Sequence, residues 1–118
     1  MQIMLTGSEN ISALNAEAKS RLDTIISKGF HIVCGNYRGA DQAMLFYLQA
    51  TGYKNVTVYE TGTKLSFGFA VKNVGRYPAQ DIEMRKSEYC LALYDQQSKG
   101  TLRNINAFPN CCRIVQYI

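Results

Sequence analysis

The sequence predicts a doubly wound, three-layer α/β domain on a mainly parallel sheet, and three observations carry that expectation. Five short apolar runs recur along the chain, each continuously apolar, as strands covered on both faces are. Segments of helical period lie between them, the order that crossover connections between parallel strands require. At 118 residues the chain has the length of one domain and can bury one substantial core. A single domain spanning 1–118 is therefore expected.

The first run, Ile3-Met4-Leu5-Thr6, ends at Gly7-Ser8. Leu14, Ala18, Leu22, Ile25 and Ile26 then make one helical stripe, with Ser12 as N-cap and Gly29 as stop. The second strand is Phe30-His31-Ile32-Val33-Cys34, closed by Gly35. Ala40, Ala43, Met44, Tyr47 and Leu48 recur at helical spacing until Gly52. Val56-Thr57-Val58-Tyr59 is the third strand. From Gly62 to Tyr77, three glycines and scattered apolar residues show no clear period, and the stretch reads as a lid loop or a small extra hairpin. Pro78 opens a third helix, where Asp81 and Glu83 set negative charge against the positive helix end. Tyr89-Cys90-Leu91-Ala92-Leu93-Tyr94 is the fourth strand. A short helix from Thr101 to about Phe108 precedes Pro109, and Cys112 to Ile118 is the fifth strand.

Composition excludes several classes. With 47% hydrophobic and 19% charged residues, the chain is neither disordered, coiled-coil nor collagenous. No apolar run approaches the roughly 18 residues that span a bilayer, so no membrane partner is expected. The chain enters a strand at once, with no basic leader or cleavage site, and a cytoplasmic location is expected. A net charge of +4 favours anionic partners, but the basic residues are dispersed and mark no nucleic-acid surface. The four cysteines form no C-x-x-C pair, and His31 alone completes no zinc set, so no metal is expected. Cys34 and Cys90 read as small core side chains. Vicinal Cys111 and Cys112 would point to opposite faces of a strand, where a disulfide between them is strained. His31, at a strand start among apolar residues, reads as structural.

In an open parallel sheet, ligands bind beyond the carboxyl ends of the strands, where strand order reverses. The sequence places its special residues there. The first strand delivers Thr6-Gly7-Ser8, the second Gly35-Asn36-Tyr37-Arg38-Gly39-Ala40-Asp41, and the fourth Asp95-Gln96-Gln97-Ser98-Lys99-Gly100-Thr101. Two of these turns run into helices, whose N-terminal amides and dipole favour phosphate. Ser98, Lys99 and Thr101 add two hydroxyls and a cation to one cradle, and Arg38 adds a cation near the other. Neither turn is G-x-G-x-x-G or a P-loop, which argues against an ordinary dehydrogenase or NTPase. Asp41 reads equally as a helix-start residue, Asp81 and Glu83 equally as dipole partners, and Tyr37 and Tyr94 as packing residues or base-stacking platforms.

The set Thr6-Gly7-Ser8, G-x-x-R-G-A-D at 35–41, Asp81-x-x-Met84 and Asp95-x-x-Ser98-Lys99-Gly100-Thr101 resembles the SLOG superfamily. That Rossmann-like group contains the DNA-processing protein A and "lonely guy" families, and the likeness is to its small stand-alone members, some described as nucleoside 2-deoxyribosyltransferase-like. The resemblance implies a five-stranded sheet ordered 3-2-1-4-5, a pocket for nucleotide-derived ligands between the first and fourth strands, and a homodimer. The lonely guy enzymes hydrolyse N-glycosidic bonds of nucleoside monophosphates with P-G-G-x-G-T-x-x-E. Here Gly100-Thr101 match, Gln97 and Ser98 replace the preceding glycines, and Asn104 stands where the glutamate belongs. An amide cannot transfer the proton or carry the charge such a reaction needs.

The leading expectation is a sensor or sequestering module that binds a phosphate-bearing nucleotide derivative without a cofactor. Its expected ligand-binding residues are Gly7, Ser8, Gly35, Arg38, Gly39, Asp41, Ser98, Lys99, Gly100 and Thr101. The alternative is an N-glycosidic bond hydrolase or deoxyribosyltransferase on nucleoside monophosphates, with Asp81 and Asp95 as its catalytic carboxylates.

Overall fold

The central strand is β1 (Gln2–Gly7), whose four inner residues are all buried because helices cover both faces of the sheet. In the computed structural model, which describes residues 1–60 and 65–117, the chain continues through α1 (Ala16–Lys28), β2 (His31–Gly35), α2 (Ala40–Thr51) and β3 (Val56–Tyr59). It then forms β4 (Ala70–Lys72), α3 (Ala79–Met84), β5 (Tyr89–Tyr94), α4 (Lys99–Asn106) and β6 (Cys112–Gln116). The strands lie in the order β4-β3-β2-β1-β5-β6, and each neighbouring pair is parallel.

Side-chain alternation along β1 divides the core in two. Ile3 and Leu5 join Ile32, Cys34, Leu91 and Leu93 under Leu22 of α1 and Met44, Leu45 and Leu48 of α2. Met4 points the other way, with Val33, Cys90 and Ala92, under Met84 and Phe108 beside α3 and α4. The result is the expected Rossmann-like three-layer α/β arrangement. Among the described residues, no helix is long and apolar enough to cross a membrane.

The sheet has six strands, not five. The five expected strands keep their relative order, and β4 extends the sheet beyond β3 through the pairs Thr57–Ala70 and Tyr59–Lys72. It falls in the stretch read as a lid or hairpin, and it is a parallel edge strand instead. All three of its side chains are exposed, so no apolar run announces it. It is held by backbone pairing to β3, with the Lys72 ammonium over the Tyr59 ring and 3.9 Å from Glu83. Residues 61–64, including Gly62, lie outside the described residues, as does Ile118.

Two helix starts differ from expectation. Asn15, not Ser12, caps α1, its Oδ1 accepting the Ala18 amide at 2.8 Å. Ile11 joins the core cluster, and the Tyr117 hydroxyl donates to the Ala13 carbonyl and accepts the Asn15 amide, which holds residues 12–15 in a non-helical approach before α1. α4 begins at Lys99 rather than Thr101, because Ser98 is its N-cap and Ser98 Oγ accepts the Thr101 amide at 3.2 Å. Gly29 and Gly52 end α1 and α2 as expected. Cys34 and Cys90 are buried free thiols within β2 and β5; of the vicinal pair, Cys111 precedes β6 and Cys112 is its first residue. His31 is held by Asn55 Oδ1 at 2.7 Å and Thr57 Oγ1 at 3.1 Å, a structural role.

Gly7 fixes the spacing of the layers at the end of β1. A Cβ there would overlap the Ala40 Cβ at the start of α2 and approach the Leu93 carbonyl of β5 to 3.0 Å. Both neighbours belong to the core cluster and have little freedom to retreat. Gly7→Ala is therefore expected to destabilise the fold by about 1–3 kcal/mol, the usual cost of overpacking, read as a lower midpoint in urea unfolding at unchanged slope.

Candidate functional site

At the carboxyl ends of β1 and β5 the chain encloses a cleft of about 190 Å³. Thr6 and Gly7 of β1 form its floor, and Tyr37 and Arg38 enter from the turn between β2 and α2. Tyr77 and Asp81 line it from the α3 side; Ser98, Gly100, Thr101 and Asn104 line it from α4. Segments far apart in sequence meet here because strand order reverses at β1. The chain runs outward through β2, β3 and β4, then returns to place β5 on the other side of β1, with α3 and α4 on the opposite face from α1 and α2.

Two hydrogen-bonded units hold the rim. Ser8 is fully buried; its amide donates to the Leu93 carbonyl at 3.0 Å and its hydroxyl to Asp95 Oδ1 at 2.9 Å. The same Asp95 oxygen accepts the amides of Gln97 at 2.9 Å and Ser98 at 3.0 Å. Those amides, the Gln97 N–H foremost, hold the Asp95 carboxyl below its ordinary value. Asp95 is thus an ionised turn-former that shapes the approach to α4, and it does not line the cleft.

The second unit is centred on Asn104, 3% exposed. Its Nδ2 donates to Thr6 Oγ1 at 2.9 Å and to Asp81 Oδ2 at 3.4 Å, and its Oδ1 accepts Arg85 Nε at 2.9 Å. One amide therefore ties β1, α3 and α4 together, a structural role for Asn104. Asp81, nearly buried, has its pKa raised by burial, against the lowering effects of the Asn104 amide and the Arg85 and Arg103 guanidinium groups. Burial thus increases the affinity of this cleft carboxyl for its proton.

Tyr37 supplies a donor. Its hydroxyl oxygen is buried and has no hydrogen-bond partner among the described residues. Burial, then the charges of Asp81 and Asp41, push its pKa well up, so the phenol keeps its proton. Its ring meets Tyr77 edge to face, with centroids 6.3 Å apart and planes at 80°. The Tyr77 hydroxyl in turn accepts Arg103 Nη2 at 3.0 Å.

Of the residues expected from sequence, the cleft gathers Gly7, Arg38, Asp81, Ser98, Gly100 and Thr101. Ser8 and Asp95 stand behind it as the rim tie, and Gly35 is buried at the end of β2. Asp41 is buried in the first turn of α2, where it accepts the Tyr37 backbone N–H. Lys99 is exposed and outside the cleft. Gly39, with φ of +96°, brings the backbone so close to Glu9 that a Cβ would collide with the Glu9 carbonyl. It lines a neighbouring, mostly apolar groove of about 910 Å³ beside α2, which shares Glu9 and Arg38 with the cleft.

Thr6, Glu9, Tyr37, Tyr77 and Asn104 complete the lining. Asn104 had a sequence signal, since it falls one helical turn after Thr101 and so faces the same way. Tyr77 had none, because it follows the stretch without a period.

Asp41 makes a pH prediction. Burial, then the charge of Asp81, raises its pKa above the ordinary carboxyl value of 3.8. The folded state therefore keeps a proton that the unfolded chain releases, and this contribution to stability is lost as pH rises through the raised folded-state value. Asp41→Asn, which mimics the protonated acid, is expected to raise the thermal midpoint at pH 7. The advantage should shrink on acidification and vanish below about pH 4, the unfolded carboxyl value, in melts across that range.

No family model, curated protein or solved structure matches the chain, so its functional reading rests on the chemistry of this cleft.

Proposed function

We propose that the protein binds a nucleotide-derived, phosphate-bearing small molecule in this cleft, as a sensor or sequestering module of the SLOG type. The observation that carries the reading is Gly100. Packing demands the glycine at Gly7 and Gly39, but a Cβ on Gly100 would meet nothing nearer than Arg103 Nη2 at 3.8 Å. A glycine that the fold does not need, in the first turn of a helix facing a cleft, suits a ligand that approaches the backbone closely.

The surroundings fit that ligand. The start of α4 offers first-turn amides, the Ser98 and Thr101 hydroxyls lie 2.9 Å apart beside it, and Arg38, loosely paired with Glu9 at 3.9 Å, can turn its guanidinium to an anion. The unpartnered Tyr37 hydroxyl is a ready donor to a sugar or phosphate oxygen. A volume of about 190 Å³ suits a sugar phosphate, being below the roughly 300 Å³ at which whole-ligand pockets begin. The adjoining groove, reached past Arg38 and Glu9, leaves room for the base.

Calorimetry against nucleoside mono- and diphosphates, ADP-ribose and cyclic nucleotides tests the reading. At least one should bind with micromolar affinity. Gly100→Ala should weaken that ligand about tenfold or more while leaving the fold as stable, or up to about 1 kcal/mol more stable. Absence of binding across the panel at high micromolar concentration would overturn the proposal.

Asp81 favours a second reading, cleavage of an N-glycosidic bond. A carboxyl whose pKa is raised by burial is the kind of group that can donate a proton to a departing base. Chromatography of base released from nucleoside monophosphates checks it: Asp81→Asn should reduce release by about 10²–10⁴-fold. Undiminished release in that variant would rule the role out.

A further inference from the structure

Away from the cleft, on the face of the sheet covered by α3 and α4, two cysteines stand side by side. Cys90 of β5 and Cys112 of β6 are direct register partners in parallel strands. Directly paired residues project to the same face. Adjacent strands lie about 4.8 Å apart, inside the roughly 4.4–6.8 Å Cα separation that a disulfide needs. Cys90 is fully buried against Met4, Met84 and Phe108, whereas Cys112 at the sheet edge is partly exposed. Cys111 is exposed and precedes the strand, and Cys34 packs in the core on the opposite face. The thiols therefore form a graded pair: Cys112 partly open to solvent, Cys90 buried beside it.

We propose that Cys90 and Cys112 are a modification site that closes to a reversible intramolecular disulfide when the protein meets a peroxide. Cys112 attacks first, since it is the exposed member. Its ionisation is favoured by hydrogen bonding with the Cys90 thiol, which outweighs burial, while the Cys90 pKa is pushed up. In the first step the Cys112 sulfur forms an S–O bond as the peroxide O–O bond breaks. The thiol proton leaves with the departing oxygen as water, and Cys112 becomes a sulfenic acid. In the second step the Cys90 sulfur attacks that sulfur. The S–S bond forms, the S–O bond breaks, and the hydroxyl leaves with the Cys90 proton as a second water. Two thiols lose two electrons and one peroxide gains them.

The product would join an edge strand to its inner neighbour and close the segment carrying Ser98, Thr101 and Asn104, which line the cleft. The test is hydrogen peroxide treatment of the reduced full chain, alkylation under denaturing conditions, and non-reducing tryptic mass spectrometry. Cleavage after Lys86, Lys99, Arg103 and Arg113 places Cys90 in peptide 87–99 and both Cys111 and Cys112 in peptide 104–113. We expect the two peptides linked in the wild type and in Cys111→Ser, unlinked in Cys112→Ser, and separated again by dithiothreitol. A link that survives Cys112→Ser assigns the bond to Cys111 and overturns the proposal. A vicinal bond within 104–113, a disulfide between two chains, or sulfinic acid without any link overturns it equally.

Discussion

The arrangement of the cleft depends on how closely β1, α2 and β5 approach one another at Gly7. The absent side chain lets Ala40 sit against the end of the central strand, and the Leu93 carbonyl comes near enough to receive the Ser8 amide at 3.0 Å. From that contact the rest follows in order. Ser8 is buried and ties to Asp95, Asp95 folds the turn that presents Ser98, and Ser98 caps α4. The Ser8 carbonyl also accepts the Ala40 amide at 3.2 Å, so the start of α2 is fastened to the same point. Both helix starts are thus referenced to a single backbone position. A cleft assembled this way is set by the fold's own hydrogen bonds, the preorganisation that lowers the ordering cost of any binding.

Burying carboxyl groups beneath such a cleft is costly unless their charge is matched or their proton retained. The two buried aspartates solve this differently. Asp81 has Asn104, Arg85 and Arg103 around it, so its ionised form receives some compensation. Asp41 receives the Tyr37 backbone N–H but also feels the charge of Asp81. Tyr37 sits in the field of both and stays neutral. The cleft therefore presents one phenolic donor and one carboxyl of raised pKa from beneath, with the exposed Arg38 at the mouth, 3.9 Å from Glu9.

The fold was legible where burial imposes a pattern. β1, β2, β3 and β5 are enclosed on both faces, and continuous apolar runs such as Tyr89 to Tyr94 announced them. β4 was invisible because Ala70, Val71 and Lys72 are all exposed and the strand forms chiefly by backbone pairing with β3. The cleft was legible where glycines and hydroxyls cluster at strand ends, as at Gly7 and Ser98 to Thr101. Asp95 was misleading, since a carboxylate after a buried strand serves a turn as readily as a ligand. Tyr77 was unreadable, because no local pattern tells where an aromatic after an irregular stretch will land.

The position of β1 has a consequence for how the chain folds. Ile3 pairs with Ile32 on one side and with Tyr89 on the other. The first neighbour is reached after one helix, whereas the second waits for three more strands and two more helices to be made. The first half of the sheet can therefore collapse early with one edge of its central strand bare. Assembly should be slow for a domain of this size, since loop closure over so long a segment precedes the contacts that reward it. During that interval the open edge of β1, flanked by apolar side chains, is the part of the molecule most prone to pair with another chain.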